Sequence, residues 1–457
     1  MDIGSFDGKS VLVMGLGKFG GGVDSALFAA KAGAKVVVTD MADEEALKDA
    51  LEKLAPYDIT YHLGNHFGDD FDDSSDTDIV IVNPAVRPDN KFVQLAENAG
   101  KMVTSQIELF FELCPAKIVG ITGANGKSTT TAITAHILEG AVRPARKVWL
   151  SGNIGNRPLL EIVEQIGSED IVVLEISSFQ AEQLGRSKKA PHISVITNLT
   201  PNHLDRHGTF EEYCKAKEAI FKFQKTDGDD PAVSIFNGED GVTGEWYKKY
   251  SAESGRISHA YKASDVPCEL AGVFRLVGDM NLSNLAGALA VADHFEIDKD
   301  ALLEAVSTFK SLPNRLELVE EVDGVKWYDD SIATTPDSAI AALKAFSEPR
   351  IIIAGGYDKR VPFDELGRVI GKKAKAAILI GQTADAIAAA ISEGGKTDVH
   401  VKIVGSMEEA VVRASLLGEA GDVVLMSPAC ASYDMFDNYK QRGEVFANAV
   451  RKLGFKA

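Results

Sequence analysis

The sequence contains few cysteines and no long apolar run. Its 457 residues include four cysteines, Cys114, Cys214, Cys268 and Cys430, and no two of them form a CxxC pair. This argues against a disulfide framework and favours free thiols in a reduced compartment. No stretch of about 18 apolar residues is present, so we expect no membrane-spanning helix. The acidic residues 1–7 do not resemble a signal peptide, and we therefore expect a cytoplasmic protein.

Basic charge is also scarce. The chain carries 48 Lys and Arg against 67 Asp and Glu, which gives a net charge of −19. Nucleic-acid binding requires basic stripes, so we expect no nucleic-acid partner. An anionic substrate must instead be held by a few local cations and backbone amides. The length indicates more than one domain.

The clearest motif lies at residues 120–128, Gly-Ile-Thr-Gly-Ala-Asn-Gly-Lys-Ser, where the apolar strand 117–121 turns into a helix that begins near Ser128. Its glycines let the backbone curl, so that amide N–H groups and the helix N-terminus can seat a polyphosphate. Lys127 adds a positive charge, and the Ser128 hydroxyl can bind magnesium. The motif predicts ATP binding. It is a variant, because five residues and not four separate Gly120 from Gly126.

The first block of the chain, 1–104, begins with a β-α-β pattern. A strand at 10–14 leads into Gly15-Leu16-Gly17-Lys18-Phe19-Gly20, which opens a helix, and a second strand ends at Asp40. GxGxxG followed by an acid is typical of a dinucleotide site, with the acid on a ribose hydroxyl. The motif is weak on its own, and a phosphate loop does not follow it in dehydrogenases.

Two further blocks follow, 105–311 and 312–457, with the second boundary at Leu312-Pro313-Asn314-Arg315. Strands predicted in them alternate with helical patterns, which indicates an α/β fold with mostly parallel sheets. The predicted strands lie at 170–174, 193–197, 350–354, 376–380, 399–404 and 423–427.

Several polar residues of the second block have two interpretations. Glu175 ends a strand and is placed to hold magnesium near a phosphate, or it is a solvated acid. His203 lies in a polar loop and would be an unusual magnesium ligand, since magnesium prefers oxygen. Lys217, taken alone, is a surface lysine. Asn281 and Asn284 lie one helical turn apart and either contact adenine or cap the helix.

Three loops of the third block follow strands and are predicted to form one rim, at 329–336, 355–359 and 427–432. The carboxyl ends of parallel strands are the usual ligand face of such a sheet. Lys359 and the loop hydroxyls suit a small molecule with a carboxylate. Ordinary turn chemistry explains any one loop alone.

These motifs, in this order, resemble the Mur ligases of bacterial cell-wall synthesis over nearly the whole chain. The segments that carry the resemblance are 15–17, 120–128, 152–155, 175–180, 203–208, 312–315, 330–331 and 427–443. The last segment is typical of the D-glutamate-adding member. The resemblance implies three domains: a Rossmann-like N-terminal domain (1–104), a central P-loop ATPase-like domain with a parallel sheet (105–311) and a Rossmann-like C-terminal domain (312–457). It also implies a monomer.

The resemblance implies a two-step reaction in peptidoglycan precursor synthesis. The carboxylate of UDP-N-acetylmuramoyl-L-alanine attacks the γ-phosphate of ATP, giving an acyl phosphate and ADP, and the amine of D-glutamate then displaces phosphate. Both first reactants are anionic, so magnesium, expected at two sites, and Lys127 must offset their repulsion.

The resemblance also implies the role of each matching position. The catalytic residues are Lys127, Glu175, His203 and Lys217, and Lys217 matches a lysine that becomes a carbamate. The magnesium ligands are Ser128, Glu175, His203 and carbamylated Lys217. The ATP contacts are Gly123, Asn125, Gly126, Lys127, Ser128, Thr129, Asn281, Arg315 and Asp330. The UDP-sugar contacts are Gly15, Leu16, Gly17, Lys18, Phe19, Asp40 and Asn153. The D-glutamate contacts are Thr334, Lys359, Ser432 and Tyr439.

Some positions depart from the family pattern, and other functions compete. Ile332 stands where a lysine is common, Tyr439 where a Phe is usual, and Met280 where a His often precedes the Asn. A sibling Mur ligase would use another amino acid. An NAD-dependent oxidoreductase would use Gly15–Gly20 and Asp40 but leaves the second block unexplained. A catalytically silent nucleotide-binding regulator has only Ile332 in its favour.

Overall fold

The computed structural model describes residues 2–17, 20–141, 146–154, 157–228, 230–295, 297–395 and 398–454. These form two compact units, one of Met1–Pro267 with Ser283–Val306 and one of Cys268–Leu282 with Ser307–Ala457. The predicted mixed α/β class is confirmed, because the units contain three largely parallel sheets with helices between their strands. The domain boundaries at 104/105 and 311/312 stay a prediction.

The first sheet lies in the first unit and has five parallel strands in the order β3-β2-β1-β4-β5. The chain departs from β1 in both directions, so the loops after β1 and β4 meet at a switch point, where such sheets bind ligands. The strands are β1 (Ser10–Met14), β2 (Lys35–Asp40), β3 (Ile59–Leu63), β4 (Ile79–Val82) and β5 (Met102–Thr104), and the helices are α1 (Gly21–Lys31), α2 (Lys48–Leu54) and α3 (Lys91–Asn98).

The second sheet belongs to the same unit and has six parallel strands in the order β11-β10-β9-β6-β8-β7. Its strands are β6 (Lys117–Thr122), β7 (Val148–Gly152), β8 (Ile171–Glu175), β9 (Ile193–Ile196), β10 (Ala232–Asn237) and β11 (Arg256–Tyr261). The helices that accompany and follow it are α4 (Gln106–Leu113), α5 (Lys127–Ala141), α6 (Leu159–Ile162), α7 (Ser178–Arg186), α8 (Leu204–His207), α9 (Phe210–Lys222), α10 (Gly241–Tyr250), α11 (Cys268–Val273), α12 (Asp279–Ala292) and α13 (Lys299–Thr308).

The third sheet lies in the second unit, in the order β12-β13-β17-β14-β15-β16. Its edge strand β12 is antiparallel to β13, and the other pairs are parallel. The strands are β12 (Glu317–Val322), β13 (Val325–Asp329), β14 (Arg350–Ala354), β15 (Ala374–Leu379), β16 (His400–Ile403) and β17 (Val423–Met426). The helices are α14 (Pro336–Lys344), α15 (Asp364–Lys373), α16 (Ala384–Glu393), α17 (Met407–Leu417) and α18 (Tyr439–Gly454).

The phosphate motif begins later than the sequence suggested. Gly120 lies inside β6, where a Cβ would stand 2.3 Å from Cγ of Pro191. The loop glycines are Gly123 and Gly126, whose φ angles of +146° and +82° disfavour any side chain. The motif is one residue longer than the standard pattern because its first glycine, Gly120, belongs to the strand. Gly120 allows close packing of β6 and does not help to curl the loop.

One hydrophobic core joins the first two sheets, since a single cluster of buried side chains runs from Phe6 to Tyr250. Polar contacts cross the same junction. Nε2 of Gln183 donates to the carbonyl of Val82 over 3.3 Å, and Nη2 of Arg206 donates to the carbonyl of Val86 over 3.3 Å. The loop after β4 is thereby fixed to the central sheet. Among the described residues, every helix is too short or too polar to cross a lipid bilayer.

Candidate active site

The loop between β6 and α5 is braced by the end of β9. The amides of Ala124 and Asn125 donate to the carbonyl and Oδ1 of Asn198, over 2.8 and 2.9 Å. Oγ1 of Thr197 donates to the carbonyl of Asn125 over 2.5 Å. A Cβ on Gly123 would stand 1.9 Å from this hydroxyl, so only glycine fits there. The loop is thus held in a curled form before any ligand binds.

The residues at the start of α5 stand where the sequence placed them. Lys127 is the first residue of α5, and its Nζ donates to the carbonyl of Ala124 over 2.9 Å, so its charge lies over the loop. Ser128 and Thr129 follow and are both buried. Asn284 on α12 contacts the same loop, since a Cβ on Gly126 would stand 2.3 Å from its Oδ1. Helix N-terminus, cation and hydroxyl therefore converge, as a polyphosphate requires.

Lys217 is buried, which contradicts the interpretation of it as a surface lysine. It lies on α9 with 1 % of its surface exposed, and its Nζ donates to Oγ1 of Thr122 over 3.1 Å. The ammonium also stands 4.9 Å from the centre of the Tyr213 ring. Burial and the nearby charge of Lys127 hold the pKa of Lys217 well below its usual value. The side chain is therefore biased towards its neutral, nucleophilic form.

Glu175 is also buried, at 2 % exposure, so it is not a solvated strand end. Its Oε1 accepts from Nδ2 of Asn153 over 3.3 Å, and its carbonyl accepts from the amide of Asn153 over 3.1 Å. Its Oε2 has no hydrogen-bond partner among the described residues. A buried carboxylate oxygen without a donor is costly unless a cation binds it.

His203 lies beside these groups, immediately before the short helix α8, in a left-handed backbone conformation with φ of +52°. Its ring packs edge-on against Phe179 at 5.2 Å between centres. Desolvation, followed by the charges of Lys127 and Lys217, lowers the pKa of His203. The structure therefore brings Lys127, Lys217 and His203 into one electrostatic group, with His203 neutral and able to accept a proton or a metal.

The first glycine loop is shaped by Asp40. Oδ2 of Asp40 accepts from the amides of Leu16 and Gly17 over 2.7 and 3.2 Å, and Oδ1 accepts from Ala42 over 2.9 Å. The carboxylate therefore contacts the loop itself, and the predicted ribose contact stays a prediction. Lys18 and Phe19, two further predicted contacts, lie outside the described residues.

Two of the three predicted rim loops are joined in the second unit. The amide of Gly355 donates to the carbonyl of Pro428 over 2.8 Å, and that of Tyr357 to the carbonyl of Ala431 over 2.9 Å. A cavity of about 290 Å³ opens beside them. Thr334 of the remaining loop and Lys359 both line it, as do Tyr357 and Cys430. The rim prediction is therefore confirmed for this cavity.

The other predicted residues of this unit are more scattered. Among the described residues, Ser432 and Tyr439 are absent from the lining of that cavity. Asp330 is buried, and its Oδ2 accepts from Oγ of Ser427 over 2.7 Å. Nδ2 of Asn281 donates to the carbonyl of Val277 over 2.8 Å, and both the adenine and the capping interpretation stay predictions. Arg315 follows Asn314, which has a φ of +64°.

Sequence reasoning missed Arg442, which is 1 % exposed. Its Nη2 donates to the carbonyl of Ser331 over 2.7 Å, while Nε and Nη1 have no partner among the described residues. Burial lowers the pKa of Arg442 to about 10. The signal was present, since Arg442 lies within the specific segment 427–443. Its guanidinium contacts Ser331, the residue directly before Ile332.

Sequence reasoning also missed Thr122 and Thr197, whose hydroxyls contact Lys217 and the phosphate loop. Each is the last residue of a strand or follows one directly. Position at the carboxyl end of a parallel strand was the available signal.

Two family models match this chain. The Mur ligase middle domain matches residues 121–292, and the Mur ligase glutamate ligase domain matches residues 314–430. The UDP-N-acetylmuramoylalanine–D-glutamate ligase of Acetivibrio thermocellus is 39% identical, covering 97% of this chain and 97% of its own. The same-named ligase of Roseiflexus sp. is 38% identical, covering 98% of this chain and 99% of its own.

Solved structures agree on the fold. The UDP-N-acetylmuramate-alanine ligase of Thermotoga maritima has a TM-score of 0.56 at 19% identity and covers 97% of this chain and 99% of its own. The MurF ligase of Thermotoga maritima, solved in complex with ADP, has a TM-score of 0.57 at 18% identity and covers 99% of this chain and 96% of its own. The family models and the relatives at 39% and 38% identity give the interpretation as an NAD-dependent oxidoreductase no support, and they show that the chain belongs to the Mur ligase family.

Proposed function

We propose that this protein is the ATP-dependent ligase that adds D-glutamate to UDP-N-acetylmuramoyl-L-alanine in peptidoglycan precursor synthesis. One observation carries the proposal: a phosphate-loop lysine, a buried lysine of low pKa and an unpartnered carboxylate oxygen meet at the carboxyl end of β6 and β8. The names of the relatives at 39% and 38% identity support D-glutamate as the amino acid.

ATP binding is assigned to the braced loop and its neighbours. Lys127, Ser128 and Thr129 at the start of α5 would hold the phosphates, together with Gly123, Asn125 and Gly126 of the loop. Asn281, Arg315 and Asp330 would complete the nucleotide contacts. Lys127 then offsets the repulsion between the substrate carboxylate and the γ-phosphate, which forms the acyl phosphate.

The residues near Glu175 fit magnesium. Oε2 of Glu175 has no donor among the described residues, and the hydroxyl of Ser128 would be a second oxygen ligand. No cluster of three or more His, Cys, Asp or Glu suited to a metal exists among the described residues. One carboxylate oxygen and one hydroxyl suit an ion that takes its other ligands from phosphates and water, as magnesium does. Magnesium, when bound at either of two sites, neutralises phosphate charge.

His203 and Lys217 would complete the second of these sites. The neutral amine of Lys217 can add to carbon dioxide, forming a C–N bond with loss of a proton, which gives a carbamate. This change turns a neutral amine into an anionic oxygen ligand beside Glu175. The low pKa of Lys217 supports the step, because only the neutral amine reacts.

The amino-acid and nucleotide-sugar sites are assigned to the remaining predicted residues. Thr334 and Lys359 in the 290 Å³ cavity, with Ser432 and Tyr439, would hold D-glutamate. Lys359 pairs with one of its carboxylates. Gly15, Leu16, Gly17 and Asp40 would hold the uridine diphosphate, and Asn153 the muramoyl end. We further propose that the enzyme acts as a monomer in the cytoplasm.

A substrate-omission assay tests the proposal. ADP release by the purified protein is measured with ATP and magnesium, in the presence or absence of UDP-N-acetylmuramoyl-L-alanine and D-glutamate. We expect sustained release, beyond one ADP for each enzyme molecule, only when both are present. Turnover with L-alanine or a diamino acid in place of D-glutamate would identify a sibling Mur ligase. Absence of turnover with every amino acid would favour the silent regulator.

A further inference from the structure

One buried carboxylate ties three segments of the first unit together. Asp24 lies in the first turn of α1 and is 3 % exposed. Its Oδ2 accepts from the amide of Leu160 over 2.9 Å and from Nε2 of Gln106 over 2.5 Å. Its Oδ1 accepts from the amide of Glu161 over 3.1 Å.

Two of these three segments continue into a part of the site. Helix α1 directly follows the first glycine loop, 15–20. Helix α6, which provides Leu160 and Glu161, follows the stretch that contains Asn153, and Asn153 contacts Glu175. Gln106 begins α4, the first helix after the first sheet. Asp24 therefore links the glycine loop to the Asn153 segment across the junction of two sheets.

Burying this carboxylate at the junction has an energetic cost. Burial raises the pKa of Asp24 to about 6, despite its hydrogen bonds, so ionisation of this carboxyl is less favourable in the folded protein than in water. Asp170 is a matched carboxylate that lies away from the site. It too accepts from three donors, Lys147 N at 3.0 Å, Trp149 Nε1 at 2.8 Å and Gly167 N at 2.9 Å. It stands before β8, at the end of the sheet away from the site.

We propose that Asp24 is a positioning residue that sets the spacing between the glycine loop and the Asn153 segment, and so selects nucleotide-sugars long enough to contact both. The inference rests on the proposed function, in which the two segments bind opposite ends of the substrate. The affinity of a ligand that reaches only the glycine loop does not depend on this spacing. The affinity of a ligand that contacts both segments does depend on it.

Calorimetric titration of two ligands separates these cases. The wild type, Asp24→Asn and the control Asp170→Asn are titrated with UDP and with UDP-N-acetylmuramoyl-L-alanine. In Asp24→Asn the new amide directs N–H groups at a backbone donor, so the junction loosens. We expect the affinity for the full substrate to fall about tenfold and that for UDP to stay within about twofold. Asp170→Asn should leave both affinities within about twofold, even where it lowers the melting temperature.

Equal losses for both ligands in Asp24→Asn, or no loss for either, would overturn the proposal, as would the same split in Asp170→Asn. If Asp24→Asn does not fold, Gln106→Ala is used in its place, since it removes one of the donors to Asp24. It should weaken binding of the full substrate more than binding of UDP, by a smaller factor. Equal effects on the two ligands in Gln106→Ala would also overturn the proposal. A wild-type protein that fails the substrate-omission assay refutes the proposed function. A wild-type protein that passes it, with variants that show no split, refutes only the role of Asp24.

Discussion

The ammonium of Lys217 donates a hydrogen bond over 3.1 Å to Oγ1 of Thr122, the last residue of β6. The Thr122 hydroxyl itself donates a hydrogen bond to the carbonyl of Ile176, over 2.7 Å. It can therefore only accept from Lys217, which fixes the direction of the lysine side chain. The buried amine is thus tied to the strand that leads into the phosphate loop.

This geometry predicts that Lys217→Ala lowers turnover by about a hundredfold or more, since a group at the centre of the charged cluster is lost. Added short-chain carboxylic acids should restore part of the rate, because a carboxylate can occupy the space of the carbamate. Steady-state ADP release, with and without added acid, measures both effects. Lys215→Ala on the same helix is the control. Its exposed ammonium pairs with Glu211 and Glu212, so its loss should change the rate by less than about twofold. Absence of rescue would leave the carbamate without support.

Lys127→Ala should abolish turnover while the protein still folds. Lys127 is only partly buried, and its Nζ contacts the carbonyl of Ala124, so we expect its removal to abolish the compensation of phosphate charge at little cost in stability. Turnover and the melting temperature without nucleotide are measured on the same preparation. A variant within about tenfold of the wild-type rate would contradict the assignment.

Gly120→Ala should destabilise the protein by about 1–3 kcal/mol, because the new methyl meets Pro191 and Ile176 at 2.3 and 2.7 Å. Gly241→Ala on α10 is the matched control. Nothing lies within 4 Å of a Cβ there, so the substitution should be neutral or slightly stabilising. Urea unfolding of both variants gives the free energies. Equal effects would mean that Gly120 has no packing role.

The sequence predicted some strands at or near their observed bounds and missed others. The edge strand β16 lies at 400–403 and was predicted at 399–404, whereas the buried inner strand β10 was not predicted. β1 and β14 have the predicted bounds, because strands buried on both faces read as continuous β-branched runs. β12, Glu-Leu-Val-Glu-Glu-Val, is an antiparallel edge with charged residues facing outward, and β3 mixes polar and apolar residues. Neither has a pattern that distinguishes it from a loop.

The site was predictable where chemistry follows a strand and less so on helices. Glu175 was placed correctly because the end of a parallel strand is the ligand face of its sheet. The burial of Lys217 was not predicted. Yet Tyr213, Lys217 and Ile220 share one face of α9, and all three are buried, so helical spacing could have revealed it. The contacts of Asp24 and Arg442 depend on tertiary packing, which no local pattern records.

Lys359→Ala should raise KM for D-glutamate by about tenfold or more, because the lysine is the cation among the described residues that line the 290 Å³ cavity. KM for UDP-N-acetylmuramoyl-L-alanine should stay within about twofold, since a neutral change in this cavity removes one charge–charge contact only. Initial rates with each substrate varied in turn provide both constants. Equal changes in the two constants would place the D-glutamate site elsewhere.

The last prediction concerns pH and Asp330, which is 8 % exposed and accepts from Ser427. Burial, together with the neighbouring charge of Asp329, raises the pKa of Asp330 from 3.8 to about 7. The folded carboxyl thus binds its proton more tightly than the unfolded one. Its contribution to stability is complete below about pH 4 and is lost as the pH rises through about 7.

We therefore expect the melting temperature of the wild type, measured without nucleotide, to fall relative to that of Asp330→Asn between about pH 4 and pH 8, since the asparagine does not titrate. The corresponding difference in the free energy of unfolding should grow by at most about 1.4 kcal/mol for each pH unit. Asp385→Asn, at an exposed position in the first turn of α16, is the control and should follow the wild type. Parallel curves for the wild type and Asp330→Asn would show that the Asp330 carboxyl does not titrate in this range.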